Sequence, residues 1–204
     1  MTAATGVRER EKTRVRQELI DTALRLFEDN GFEQTTVQQI ADAVRVSRRT
    51  FHRHFPSKVA VVFAHEEDLM GLLLTAFDRR PPGESPLTAL RAAIREFLLD
   101  QSNPDLRRRI DTARRARHLL VTNPQLRQEN FIGALGRQHA LTRRIVARCG
   151  LPETDLRPQL AAACCFAAFG VALDHWMLTA TPDIPTLHHI LDATIRTLQR
   201  GVDF

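Results

Sequence analysis

At 204 residues the chain has room for one large domain, or for a small domain joined to a medium one, and its 43% hydrophobic content excludes a disordered tail. A net charge of +5 favours a polyanionic partner, although charge alone would suit an anionic membrane surface as well. The three cysteines, Cys149, Cys164 and Cys165, lack C-x-x-C spacing, so neither a disulfide framework nor a zinc site is indicated, and a reducing, cytoplasmic setting is expected.

The N-terminus shows no apolar run after its charges, and no 18 residues are apolar without polar breaks, so neither a signal peptide nor a membrane span is expected. Met1 to Arg10 is small and polar and is expected to begin disordered. From about Arg14 to Asn30, Leu19, Ile20, Ala23, Leu24, Leu26 and Phe27 recur as the apolar stripe of a helix that Asn30-Gly31 ends. Thr36 followed by Gln39 is a capping box that opens a helix at Val37, with Ile40, Ala41 and Val44 on its apolar face. A break at Arg45-Val46 precedes Ser47, a second N-cap, so another helix starts at Arg48. Its Phe51 and Phe55, four apart, share one face, leaving Arg48, Arg49, Thr50, His52, Arg53 and His54 around the rest. Aromatic anchors behind a row of hydrogen-bond donors are what a helix needs to enter the major groove of DNA.

Pro56 closes that helix, and Ser57 caps a long one from Lys58 to about Arg79, stopped by Pro81-Pro82-Gly83. Proline after a capping residue then marks three further starts: Ser85-Pro86 to about Gln101, Asn103-Pro104 to about Thr122, and Asn123-Pro124 to Gly150. Asp155 caps a helix that tolerates Pro158 and runs to about Thr179, and the last runs from near Pro185 to Arg200. No alternating strand pattern and no fixed-period repeat occurs.

Gly31-Phe32, Thr35-Thr36, Ile40-Ala41, Val46-Ser47, the segment Thr50-Phe51-His52 with His54-Phe55, and Ser57-Lys58 together resemble the DNA-binding domain of the TetR family of transcriptional regulators. Two positions depart from the family pattern: Arg45 stands where a turn glycine is usual, and His52 where a tyrosine usually reaches a phosphate. The resemblance implies an all-α fold of about nine helices, with a three-helix DNA-binding domain at 1–57 and a six-helix ligand-binding and dimerisation domain at 58–204. It implies that Thr36, Ser47, Arg48, Arg49, Thr50, His52, Arg53, His54 and Lys58 form the DNA-binding set, Lys58 meeting a phosphate at a helix N-terminus. Double-stranded DNA, as a palindromic operator, is the expected partner, bound by a homodimer that pairs through the last two helices. Ala168 and Leu191 are expected at that subunit contact.

The helix after Asp155 is apolar around almost its whole circumference and must be buried on several sides. The arginine-rich stretch from Arg107 to Arg148 and the later GVALDHWM resemble, more loosely, the C-terminal half of a TetR branch that responds to acyl-coenzyme A. That likeness implies an apolar small-molecule effector, an acyl-CoA being the candidate. Phe97, Leu119, Phe131, Leu135, Phe166, Phe169 and Trp176 would line its tunnel, with Arg114, Arg115 and Arg117 at the mouth and His118 also among the ligand-binding residues. Core phenylalanines and a solvated arginine face are the alternative reading of the same residues. Neither a nucleophile motif, a phosphate loop nor ligand-spaced histidines are present, so no enzyme, metal or cofactor is indicated. A ligand-released repressor is the first expectation, and a DNA-binding protein whose helical half is a protein-interaction module the alternative.

Overall fold

The computed structural model describes residues 2–99, 104–179 and 182–201, and every regular element within them is helical. In chain order these are α1 (Thr2–Asn30), α2 (Val37–Ala43), α3 (Arg48–His54), α4 (Lys58–Asp78), α5 (Pro86–Leu99), α6 (Pro104–Thr122), α7 (Pro124–Cys149), α8 (Leu156–Met177) and α9 (Ile184–Arg200). The all-α architecture and the helix count read from the sequence are therefore observed among the described residues.

The starts follow from capping chemistry. Ser85 Oγ accepts from the Thr88 amide at 3.4 Å, and Asn123 Oδ1 accepts from the amides of Gln125 and Leu126 at 3.0 and 3.2 Å. Asn103, expected to cap α6, lies outside the described residues. The cap of α9 is Asp183, which accepts from the Thr186 amide at 2.8 Å, slightly earlier than the start near Pro185 suggested. The larger correction is at the N-terminus, where α1 is helical from Thr2 and not from about Arg14. Extending an anchored helix needs no new nucleus, and the segment carries pairs at helical spacing: Lys12 with Glu9 at 3.5 Å, and Arg14 with Glu11 at 2.6 Å and with Glu18.

The chain forms two compact units, Met1–Glu66 with Asp111–Asn130, and Glu67–Ile110 with Phe131–Phe204. It passes between them inside α4, α6 and α7, so packing divides within helices and not at the start of α4. In the first unit, Leu19, Ile20, Leu24 and Phe27 of α1 meet Ile40, Phe51, Phe55 and Val61, together with Leu119, Leu120 and Leu126 from the α6–α7 corner. In the second unit, Phe77, Leu90, Ile94, Leu141, Ile145, Phe169, Trp176 and Ile195 form the core. Leu69 packs against the same core. Arg91 bridges α5 and α9, donating to Asp192 at 2.8 Å and to Gln199 at 2.9 Å. Arg148 donates to the carbonyls of Glu84 at 3.1 Å, Arg80 at 3.3 Å and Pro81, and lies 5.2 Å over the Phe77 ring, fixing the turn after α4.

By length and composition alone α8 could cross a membrane, because polar breaks dilute its hydropathy less than the sequence reading assumed. Its inward face is committed: Ala162, Cys165, Ala168, Phe169, Ala172 and Trp176 are buried in the second unit. Leu156, Leu160 and Val171 face outward, 72%, 65% and 65% exposed.

Asp155 caps α8 by accepting from the Arg157 amide at 2.9 Å, and the Arg157 guanidinium beside it holds its carboxyl down to about 2 from an ordinary 3.8. Because the folded value is depressed, this stabilisation is complete above pH 4 and fades as pH falls toward 2. Asp155→Asn keeps the acceptor and should flatten that part of the pH profile, while Asp155→Ala should lower stability even near pH 7. Urea midpoints measured from pH 2 to 7 check both expectations.

Candidate DNA-binding surface

The connection from α2 to α3 is built by backbone bonds. The Arg45 amide donates to Asp42 O at 3.0 Å and the Val46 amide to Ala41 O at 2.9 Å, the paired closure of a Schellman turn. That turn requires a left-handed residue, and Arg45 adopts φ 59°, the single positive φ among the described residues that are not glycine. The departure from glycine therefore leaves the turn geometry intact and stores strain of about 1 kcal/mol. Val46 packs against the first-unit core, which is the hydrophobic closure such a turn favours.

The helices on either side are fixed at their starts. Gln39 N donates to Thr36 Oγ1 at 3.2 Å while the Thr36 amide donates to Gln39 Oε1 at 2.8 Å, so the capping box is formed. Thr50 N donates to Ser47 Oγ at 3.0 Å, and the two hydroxyls are 2.9 Å apart. Thr35, which the sequence reading used only as part of a pattern, is buried, its hydroxyl 2.8 Å from Gly31 O and 3.1 Å from Leu26 O.

On α3 the Phe51 and Phe55 rings are buried with centroids 5.8 Å apart. Arg48, Arg49, His52 and Arg53 are exposed, and Thr50 is half-buried. Among the described residues neither Arg48 nor Arg49 gives its guanidinium to an ion pair or hydrogen bond. His54 is different: its Nε2 is buried without a hydrogen-bond partner, and burial, then the charges of Arg53, Lys12 and Arg16, lower its pKa. It is half-buried, near Lys12 and Arg16 of α1. Arg16, which the sequence reading did not single out, lies 5.3 Å over the Phe55 ring. Lys58 is half-buried, with its ammonium turned onto the loop between α1 and α2.

The residues chosen for the effector are divided between the two units. Arg114, Arg115, Arg117, His118 and Leu119 belong to the first unit, Leu119 in its core; the other six belong to the second. Arg114 donates to Asp111 at 3.0 Å, and Arg115 grips Glu28 of α1 with two bonds of 2.8 and 2.6 Å. Phe131 and Leu135 are 69% and 43% exposed. Phe97 and Phe166 pack against the second core, Phe169 and Trp176 lie in it, and Trp176 Nε1 donates to Asp183 O at 3.0 Å. Spacing had no way to announce these partners, because Glu28 and Arg115 are far apart in the chain. A cleft of about 420 Å³ opens elsewhere in the second unit, lined by Ser85, Leu87, Ile145, Cys149, Arg157 and Leu198 among others. Burial pushes the Cys165 thiol up to about 12, so it is inert. No cluster of three potential metal ligands occurs among the described residues.

A short helix anchored by two rings, preceded by a left-handed turn and showing arginines to solvent, is the working part of a helix-turn-helix DNA-binding protein. Comparison with known proteins makes the assignment specific. The model of bacterial regulatory proteins of the tetR family matches residues 19–64, and that of the MftR C-terminal domain matches residues 84–203. The chain is 35% identical over 196 residues to the HTH-type transcriptional regulator TcmR of Streptomyces glaucescens, covering 95% of this chain and 87% of that one. It is 30% identical over 190 residues to MftR of Mycobacterium tuberculosis, covering 90% and 88%. The structure of FadR, a fatty acid degradation regulator from Bacillus halodurans, superposes with TM-score 0.58 at 14% identity, covering 92% of this chain and 99% of that one, a likeness of fold alone. The chain belongs to the TetR family of bacterial transcriptional regulators, which makes it a ligand-responsive regulator that binds DNA as a dimer.

Because Arg45 holds a left-handed backbone, Arg45→Gly should stabilise the protein by about 1 kcal/mol, raising Tm by about 2–4 °C without weakening DNA binding. Calorimetry alongside an operator titration checks this, and an unchanged or lowered Tm would show that the turn is unstrained.

Proposed function

We propose that the protein is a repressor that binds a palindromic operator as a homodimer and leaves it when an apolar small molecule binds the helical half. The observation that carries this reading is the pair Arg48 and Arg49, exposed and unengaged on a helix whose opposite face is locked into the first core. In this reading residues 1–57 read DNA, residues 58–204 sense and dimerise, and the protein works in the cytoplasm. Arg48, Arg49 and Thr50 address base edges, while Thr36, His52 and Arg53 position the backbone. Ser47 serves by capping, and His54 by packing. Arg49→Ala should relax preference at one base position by about 1–3 kcal/mol while keeping most non-specific binding. Titration of operator variants measures it, and equal losses on operator and random DNA would count against base reading.

The dimer contact is proposed on the outward face of α8 together with α9. Ala168 and Leu191, expected there from the sequence, point into the protomer's own core, 6% and 8% exposed. Leu160→Arg should leave the protomer folded and split the dimer, since it would place an unpaired charge in a subunit contact at a cost of several kcal/mol. Leu191→Arg should unfold the second unit instead. Sedimentation and circular dichroism of the two variants separate these outcomes, and a Leu160→Arg chain that remains dimeric places the contact elsewhere.

The effector is proposed to be apolar because the second unit is built around aliphatic and aromatic side chains, and acyl-CoA remains the candidate to test first. Its phosphates would need arginines other than Arg115, which is committed to Glu28. Exposed Phe131 and Ile132 on α7 favour a second reading, in which the helical half docks another protein. Mass spectrometry of molecules co-purifying with the protein, followed by release of operator DNA, decides. Failure of acyl thioesters, free fatty acids and other apolar metabolites to alter DNA binding favours the docking reading.

A further inference from the structure

Three backbone carbonyls of the loop between α1 and α2 converge on one side chain. Lys58 Nζ donates to Phe32 O at 2.7 Å, to Glu33 O at 3.2 Å and to Thr35 O at 3.2 Å, and lies 4.4 Å from the centroid of the Phe32 ring. An ammonium has three donors spread around one nitrogen and no acceptor, so this environment uses all of them. The aromatic face beneath adds a cation–π attraction that strengthens where water is excluded, and both Phe32 and Thr35 are buried. A phosphate could reach this nitrogen only by displacing a carbonyl, and the oxygens of Phe32 and Thr35 are part-buried, so losing the ammonium there is costly.

The choice of residue points the same way. Lysine occurs at two positions in the chain, Lys12 and Lys58, and arginine serves wherever else a fixed positive charge is used. A planar guanidinium spreads its donors in a fork over three nitrogens, which suits carboxylates and phosphates but cannot direct three bonds from one point. Carbonyls from positions 32, 33 and 35 require the point charge.

We infer that Lys58 is a positioning residue: it clamps the α1–α2 loop to the first residue of α4 and so sets where α2 and the recognition helix begin, without contacting DNA. The clamped Thr35 adjoins Thr36, the N-cap of α2, and its own hydroxyl is tied back to α1 through Gly31 and Leu26. A displacement of the start of α4 is therefore passed to the cap of α2 through one ammonium. The inference rests on the DNA-binding reading for its consequence, but the clamp itself can be tested without DNA.

The test uses the full chain in two ways. Lys58→Arg and Lys58→Met are titrated with operator DNA over a range of salt, alongside urea unfolding. A clamp predicts that both variants bind at least ~10-fold more weakly and unfold at lower urea, with the slope of log K against log salt unchanged. A phosphate contact predicts instead that Lys58→Arg binds normally and that Lys58→Met loses about 0.9 from the slope at an unchanged urea midpoint. That result overturns the inference. Lysine-directed acylation of the wild-type chain, read by mass spectrometry, decides even if both variants fail to fold. Lys58 should react at least ~10-fold more slowly than exposed Lys12 with DNA absent as well as present. Equal reactivity of the two lysines in the free protein, with protection of Lys58 appearing only on DNA, would refute the clamp. A wild-type chain that binds no DNA would remove the proposed function while leaving the acylation result to judge the clamp alone.

Discussion

Burial of Phe51 and Phe55 is the interaction on which the rest of the first unit depends. A helix of seven residues is far too short to persist in water, where a nucleus is costly and few bonds repay it. The recognition helix exists because its two rings enter a core already made by Leu19, Ile20, Leu24 and Phe27 of α1, with Ile40 of α2 and Val61 of α4. The same two rings dictate which side chains remain outside. With 51 and 55 inward, 49 and 53 fall on the opposite face, and 48 and 52 are exposed at its flanks, so the polar side chains left outside are set by packing on the other side of the helix.

The second unit solves a different problem with one helix. α8 has apolar residues all round, yet only one side is covered by its own protomer. Ala162, Ala168 and Ala172 are buried on its covered side, and Trp176 ties it to the start of α9 by giving its one donor to Asp183 O. The uncovered side, with Leu160 and Val171, is the kind of surface a monomer in water seldom keeps. The dimer contact proposed there would explain why a helix of a DNA-binding regulator carries a hydropathy that would serve in a membrane.

Arginine in this protein does three kinds of work that its abundance conceals. Arg148 and Arg91 hold loops and helices inside the second unit, and Arg115 holds α6 to α1 through Glu28 in the first. Arg14 stabilises the start of α1 by pairing with Glu11 and Glu18. Arg48 and Arg49 alone of these are left with their donors directed to solvent. The net positive charge thus agrees in sign with a DNA partner, and the unengaged guanidiniums mark the contact proposed above.

The sequence by itself determined the helical class, the caps at Thr36, Ser47, Ser85, Asn123 and Asp155, the break at Arg45, and the division of α3 into an aromatic and a polar face. These are local properties, fixed within about one turn of helix by hydrogen-bond chemistry and periodicity. Tertiary structure alone decided that Lys58 faces three carbonyls, that Arg115 meets Glu28, that Ala168 and Leu191 turn inward while Leu160 and Val171 turn outward, and that Phe131 is left exposed. Each of those depends on which distant segment packs against a helix, and an all-apolar circumference or an arginine-rich stretch has no periodicity from which the chosen side can be read.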